Sequence, residues 1–412
     1  MRCDSVVITK VSSATFILLL LTVLSFFVNE KLSRYSFYFC GYGAIICFVL
    51  FSFRQGMKTY INKISLPFLA MGGLFLLWSL WCFFLGERDD LLITPAKRMI
   101  VAFFIINFSL FFFKNTTFSK EKLSGCMLIT LWATFIIASV SGLYQALTSG
   151  DRILLGIDRP TMSAYAYSFL SLSLMMSLTY DKNFLRKNIT FFVTLVVSTY
   201  VIFHTQTRAA MGVHTLLIAV IIFHLFSLKK ETLSCFLSFV LLTFSVLSNH
   251  HIIDHRTDEA LSDVQSFKND NDRTSLGARF SMWKVGILSF EHRPFGETLN
   301  ERNGFIKGYL RDHNEENSDV NKYLDVHLHN EVIQYLSIFG VFGLGVLFYF
   351  YYYFILGLRK VYGTLNCISV PMVATVFYGL TDVLFISDEM ILISAVTITF
   401  STIIMSDKMS AR

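Results

Sequence analysis

Charge is what this chain has least of. Only 16% of its 412 residues are Asp, Glu, Lys or Arg, against 54% that are apolar, and mean hydropathy is +0.56. A soluble chain of this length needs more charge to cover its surface, so a water-soluble globular fold is excluded. None of the seven cysteines forms a Cys-x-x-Cys pair, which removes the signature of a structural zinc or a dithiol redox site. All but Cys3 lie in apolar stretches and the long polar stretch has none, so no disulfides are expected. Glycine-rich nucleotide motifs, internal repeats, low-complexity tracts and Pro-rich linkers are missing too. A cytosolic nucleotide is therefore not the expected phosphate donor. The first apolar block lacks a small-residue cleavage site and more blocks follow, so it reads as a span and not as a removable signal.

What is present is a series of apolar blocks of roughly 16 to 22 residues, the length that crosses a bilayer as a helix. Phe alone supplies 43 residues. The pattern predicts an all-α polytopic membrane protein of about twelve transmembrane helices. They fall near 11–28, 36–53, 66–85, 99–113, 125–147, 160–179, 188–204, 210–227, 233–248, 332–356, 366–386 and 391–405. Three parts follow: nine spans over 1–248, a large loop over 249–331, and three spans with a short tail over 332–412.

Lysine and arginine set the orientation. With both termini in the cytoplasm, the cytoplasmic segments hold seventeen of them and the short outer loops eight. The long loop then faces out. The inner seventeen comprise twelve Lys and five Arg, whereas the outer side, long loop included, has six Lys and twelve Arg. Arginine suits planar, bidentate binding of phosphate. An arginine-rich outer face points to an anionic ligand there, the alternative being drift between two basic residues. The long loop carries mixed charge and is Asn-rich, which fits carbohydrate contact among other roles.

Four stretches carry candidate chemistry. Arg208 follows Thr205-Gln206-Thr207 between two apolar helices, with no acidic residue nearby in sequence. A charge at membrane depth is expensive and usually functional; a snorkelling arginine is the alternative. In the loop, Leu276, Phe280, Trp283, Ile287 and Phe290 recur at helical spacing and predict an amphipathic helix near 276–290, with Arg279 at the edge of the stripe. His327 and His329 sit where the loop re-enters the membrane, and histidine serves as a general base at neutral pH. His-x-His also suits two metal ligands, but no third His or Cys has ligand spacing, so no metal is expected. Gly340 and Gly343 read as close helix packing. Asp382, late in the eleventh span, suits pairing with an outer arginine or orienting a histidine. Asp388 and Glu389 read as a short solvated turn, as do Glu87, Arg88, Asp89 and Asp90. Arg152 and Arg159 flank Gly156 in an outer loop as candidate phosphate or sugar contacts.

Taken together, the sequence resembles the O-antigen ligases of Gram-negative bacteria, within the ligase and polymerase superfamily. The carriers are Thr205-Gln206-Thr207-Arg208, the Ser275 to Trp283 segment with Arg279, and Val326-His327-Leu328-His329-Asn330-Glu331 followed nine residues after Asn330 by Gly340-Val341-Phe342-Gly343. The likeness of layout covers essentially the whole chain. It implies a GT-C-like fold in the inner membrane with a periplasmic loop. It also implies transfer of O-antigen from undecaprenyl pyrophosphate to a sugar hydroxyl of lipid A–core, without metal, cofactor or nucleic acid. By similarity, His329 is the general base, and Arg208 and Arg279 hold the pyrophosphate and stabilise its departing charge. Asp382, His327 and Asn330, with Arg152 and Arg159, join them as substrate contacts. The rivals are an O-antigen polymerase, a protein O-oligosaccharyltransferase and a lipid-linked sugar transporter. A transporter is expected to show paired halves and polar residues at the midplane, whereas the polar residues here gather at the outer boundary.

Overall fold

The computed structural model describes residues 2–87, 91–116, 118–149, 151–227, 231–269, 271–315 and 318–410. Arg88, Asp89 and Asp90, read above as solvated loop, lie outside the described residues, as do Lys229 and Lys230. The described residues are helical and contain no strand. Fifteen principal helices run in order: α1 Arg2–Ser25, α2 Glu30–Gln55, α3 Leu66–Phe84, α4 Ile93–Asn115, α5 Lys120–Thr148, α6 Pro160–Ser177, α7 Phe184–His204, α8 Arg208–Ile222, α9 Thr232–Leu247, α10 His250–Lys268, α11 Ser275–His292, α12 Leu299–Asp312, α13 Glu331–Tyr352, α14 Ser369–Gly379 and α15 Asp388–Ser410. Local chemistry starts many of them. Asn29, Asn183, Thr274 and Asn330 each accept a backbone N–H as N-cap of the helix that follows. Thr298 and Glu301 form a reciprocal capping box on α12, and Pro67 and Pro160 stand at helix starts, where the missing N–H costs nothing.

The protein is an all-α polytopic membrane protein. A helix occupies each of the twelve predicted windows. By length and apolarity, eight helices among the described residues are able to cross a membrane, or nine if α9 and α10, bent by 59°, are taken as one. Helix α6 forms the middle of the bundle, buried from Met162 to Met176, and α15 is buried almost throughout.

Two windows differ from their prediction. Helix α4 begins at Ile93, not near 99, because Arg98 does not end it: the guanidinium is buried and pairs with Asp388 at 2.5 Å. Helix α14 ends at Gly379, and residues 380–387 form a turn before α15 that is buried from Asp382 to Phe385. Asp382 is therefore in a turn and not on a span. Irregular backbone at such depth survives only where the protein itself supplies hydrogen bonds, and α13 does so. The Asn330 amide donates to the Leu380 carbonyl at 3.0 Å, and the Glu331 carboxylate accepts the Phe385 N–H at 2.9 Å.

Over one end of the bundle, α11, α12 and the segment leading to α13 share a small second core that includes Met282, Val285, Ile306, Leu310, Leu324 and Leu328. The face of α11 turned inward is Ala278, Met282, Val285, Gly286 and Ser289. The predicted Leu276-to-Phe290 stripe is not that face; Ile287 is exposed and the rest half-buried. The small residues explain the choice, since a Cβ on Gly286 would strike Leu328 and Ile333. Close approach of α13 selects the side with least bulk.

Gly340 has a role other than helix packing. It interrupts α13 with φ +58° and ψ −144°, a left-handed conformation that favours glycine. At this break the 294–297 segment docks through its backbone, Val341 N–H donating to Pro294 O at 3.0 Å and Glu297 N–H to Ile338 O at 2.9 Å, with the Trp78 indole donating to Glu297 O and Ile338 O beside them. A Cβ on Gly340 would collide with the Pro294 carbonyl oxygen.

Candidate active site

At the end of the bundle that carries α10 to α12, a cavity of about 980 Å³ opens between the α7–α8 turn, α10, α11 and the start of α6. Arg152, Arg208, Arg256 and Arg279 line it, with Tyr165, Thr381 and the carboxylates Asp258, Glu259 and Asp263.

The Thr205-Gln206-Thr207 turn builds one wall. Gln206 is left-handed, at φ +53°. The Arg152 Nε donates to Thr205 O at 2.9 Å and its NH2 to Thr207 Oγ1 at 3.2 Å. Arg256 clasps Gln206 O with Nε at 2.9 Å and NH2 at 2.8 Å. Burial, and then the Arg256 charge, hold Arg152 below the usual guanidinium range. Arg208 opens α8 immediately after this turn. The sequence offered it no acidic neighbour, but the fold brings two from α10. Its NH2 lies 3.2 Å from Glu259 Oε2 and its NH1 3.5 Å from Asp263 Oδ2. These pairs are partly exposed, so each contributes only about 0–1 kcal/mol. Arg279, on α11, has no hydrogen bond or ion pair among the described residues and faces the cavity free.

Beside the cavity stands a second group. Thr381 lines the wall and accepts or donates a 3.2 Å hydrogen bond with the Tyr165 hydroxyl. Its neighbour Asp382, almost fully buried, faces both histidines: Oδ1 is 3.4 Å from His329 Nδ1 and 3.9 Å from His327 Nε2. Those are long contacts for hydrogen bonds, as catalytic pairs often are before substrate binds. His329 itself is left-handed, at φ +49°, a conformation that costs on the order of 1–3 kcal/mol in a non-glycine residue and clusters at functional sites. Its backbone is held by the Trp283 indole, which donates to His329 O at 3.3 Å, and its ring lies edge-on to Tyr323. Burial first, then His329 and the charges of Arg159 and Arg279, push His327 down to about 4, against the pull of Asp382. The ring is therefore neutral at pH 7.

The strand of chain that delivers these histidines is fixed from below. Arg302 of α12 is fully buried and donates to Leu324 O and to Asn303 Oδ1. Burial pushes it down to about 10. Asn303 in turn donates to Asp325 Oδ1 at 2.8 Å.

Several expected contacts take other places. Asn330, expected as a substrate contact, has both ends of its amide engaged within the protein. One end of its amide caps α13 through Ile333 N–H at 3.1 Å and the other holds Leu380 O, so it is a positioning residue. Arg159 does not line the cavity; half-exposed, it donates to Glu389 Oε1 at 2.9 Å, and only its charge reaches His327. Asp388 and Glu389 are not a solvated turn. Glu389 is 2% exposed, and Asp388 pairs with Arg34 at 3.1 Å and with Arg98. This network ties α2, α4 and α15 together behind the histidines. Sequence reasoning missed Arg256, Glu259 and Asp263; their i, i+3, i+7 spacing on one helix face was the available signal.

His327, His329 and Asp382 are the one set of three ligand-type side chains among the described residues whose donor atoms lie within 4.8 Å of one another. The separations suit direct imidazole–carboxylate contact as well as a shared ion.

The arrangement as a whole offers an imidazole backed by a carboxylate next to fixed guanidinium charge. That is a base beside an anion-stabilising pocket, at one end of a membrane bundle. Comparison with known proteins agrees. The family model described as O-antigen ligase matches residues 193–349, a stretch that includes Arg208, Arg279, both histidines and the Gly340 break. An O-antigen ligase of Escherichia coli (strain K12) is 27% identical over 394 residues, which is 93% of this chain and 91% of that protein. The chain is thus similar to O-antigen ligases, through the family model over residues 193–349 and through a relative aligned over nearly its whole length.

Proposed function

We propose that this protein transfers O-antigen polysaccharide from undecaprenyl pyrophosphate to a sugar hydroxyl of lipid A–core, at the periplasmic face of the inner membrane. The observation that carries the proposal is the His329–Asp382 pair beside an arginine-lined cavity. Asp382 favours the tautomer with the proton on Nδ1, which leaves Nε2 of His329 as the base. The acceptor hydroxyl gives its proton to Nε2 as its oxygen bonds the anomeric carbon. The bond from that carbon to the phosphate oxygen breaks, and the pyrophosphate leaves with the electron pair. Arg208 and Arg279 face the developing negative charge, where fixed donors in a water-poor site are most effective. The energy of transfer comes from the pyrophosphate linkage, so no nucleotide is needed, and in this reading His329 acts as the base without a metal.

The outward placement of the site rests on the Lys and Arg count, which sets both termini in the cytoplasm. The test uses a Gram-negative host that makes O-antigen, lacks its own ligase and has a matching core. A lipopolysaccharide ladder on lipid A–core restored by the native chain, and absent with His329→Ala, is the expected result. A glycan lengthened only on the lipid carrier would replace this reading with a polymerase.

A further inference from the structure

Two guanidiniums converge on a single oxygen at the cavity wall. Arg208 NH2 stands 3.2 Å from Glu259 Oε2, and Arg256 NH1 donates to that same oxygen. Convergence of two arginines on one anionic oxygen is the geometry in which a phosphate is held. Here a carboxylate of the protein occupies the position. Asp263, one turn further along α10, takes the other arm of Arg208 at 3.5 Å.

We propose that Glu259 and Asp263 are displaceable counter-ions that donor phosphate replaces on Arg208, and that Arg256 is a third donor-phosphate contact released by their departure. This rests on the donor reading above. Three features support it. The acids are within reach of water: the side chains of Glu259 and Asp263 are 38% and 16% exposed, and that of Arg208 between them 29%. Helix α10 is lightly anchored, with Ile252 its one buried residue and a 59° bend separating it from α9. Arg256, by contrast, is fixed on Gln206 O through Nε and NH2, so that NH1 alone changes partner when Glu259 leaves. The exchange is one of anions only. A pyrophosphate with two bridged phosphates reaches both arms of Arg208 and the Arg256 NH1, and the carboxylates turn out to water. An acid in that position also favours release of the product pyrophosphate, because it competes for the same guanidiniums.

Binding of undecaprenyl pyrophosphate to the purified full-length protein in lipid nanodiscs, at low ionic strength, decides the matter. The proteins compared are the native chain, Glu259→Gln/Asp263→Asn, and Arg208→Gln. The expected result is binding about tenfold tighter in the double variant and lost in Arg208→Gln. Asp263→Asn alone, which leaves the Arg256–Glu259 pair in place, gives a smaller gain in the same direction and decides the case if the double variant melts early. Unchanged or weaker binding in the acid variants, with loss in Arg208→Gln, overturns the counter-ion role and leaves the donor site standing. Native affinity in Arg208→Gln overturns both.

Discussion

His329 combines three constraints that a surface histidine lacks: a left-handed backbone, a carboxylate 3.4 Å from Nδ1, and an indole on its carbonyl. Removing the ring removes the base, so His329→Ala lowers transfer to lipid A–core by about 10²- to 10⁴-fold, measured with purified protein and both lipid substrates. Asp382→Asn keeps the shape but loses the charge that favours the imidazolium; its rate falls at least about tenfold while the donor KM holds. Chelators leave the native rate unchanged, since the reaction as proposed uses no ion; loss of activity in EDTA restored by one divalent metal would reassign the three residues as its ligands. His327 predicts a pH effect on stability. Its pKa is about 4 in the fold against an ordinary value of 6.5. Between those values the unfolded chain binds a proton that the folded chain refuses. Stability is therefore full above pH 6.5 and declines as pH falls toward 4, by roughly 3 kcal/mol at most. Thermal melts in detergent across that window follow the decline, and His327→Gln flattens it.

At the scale of elements, α13 organises the site from both sides. Its cap, Asn330, and its first residue, Glu331, staple the turn that presents Asp382, while its break at Gly340 seats the segment that leads into α12. Glu331 also accepts from the Tyr351 hydroxyl at 2.6 Å, within the same helix. Glu331→Gln retains an oxygen for Phe385 N–H and is expected to stay near native activity, whereas Glu331→Ala frees the turn and loses at least about tenfold. Equal loss in both would make the charge, and not the hydrogen bonds, responsible. Gly340→Ala forces a Cβ into the Pro294 carbonyl in a left-handed conformation. It destabilises by at least about 2 kcal/mol, seen as a lower melting temperature with the 294–297 segment newly open to protease.

Across the whole molecule, the charged residues separate by type and place. The described cations of the cavity and of the Asp388 network are all arginines, and they cluster about one end of the helices. If that end is periplasmic, a fluorescent protein fused after residue 412 lights up in the cytoplasm and alkaline phosphatase fused there is silent. The reverse pattern would turn the site inward and remove a periplasmic acceptor.

The sequence alone determined the all-α membrane class and the apolar windows in which helices form, because span length and apolar content are local properties. It also marked Arg208, Arg279, His329 and Asp382 as the charged or titratable residues out of place in an apolar chain. What only the tertiary structure decided is partnership. Glu259 and Asp263 reach Arg208 from more than fifty residues away, Asp388 draws Arg98 into α4, and Asn330 both caps a helix and holds the Leu380 carbonyl. Which face of α11 is buried likewise depended on how closely α13 passes Gly286. A side chain's period along its own helix states which way it points; the element it meets there is set by packing between distant parts of the chain.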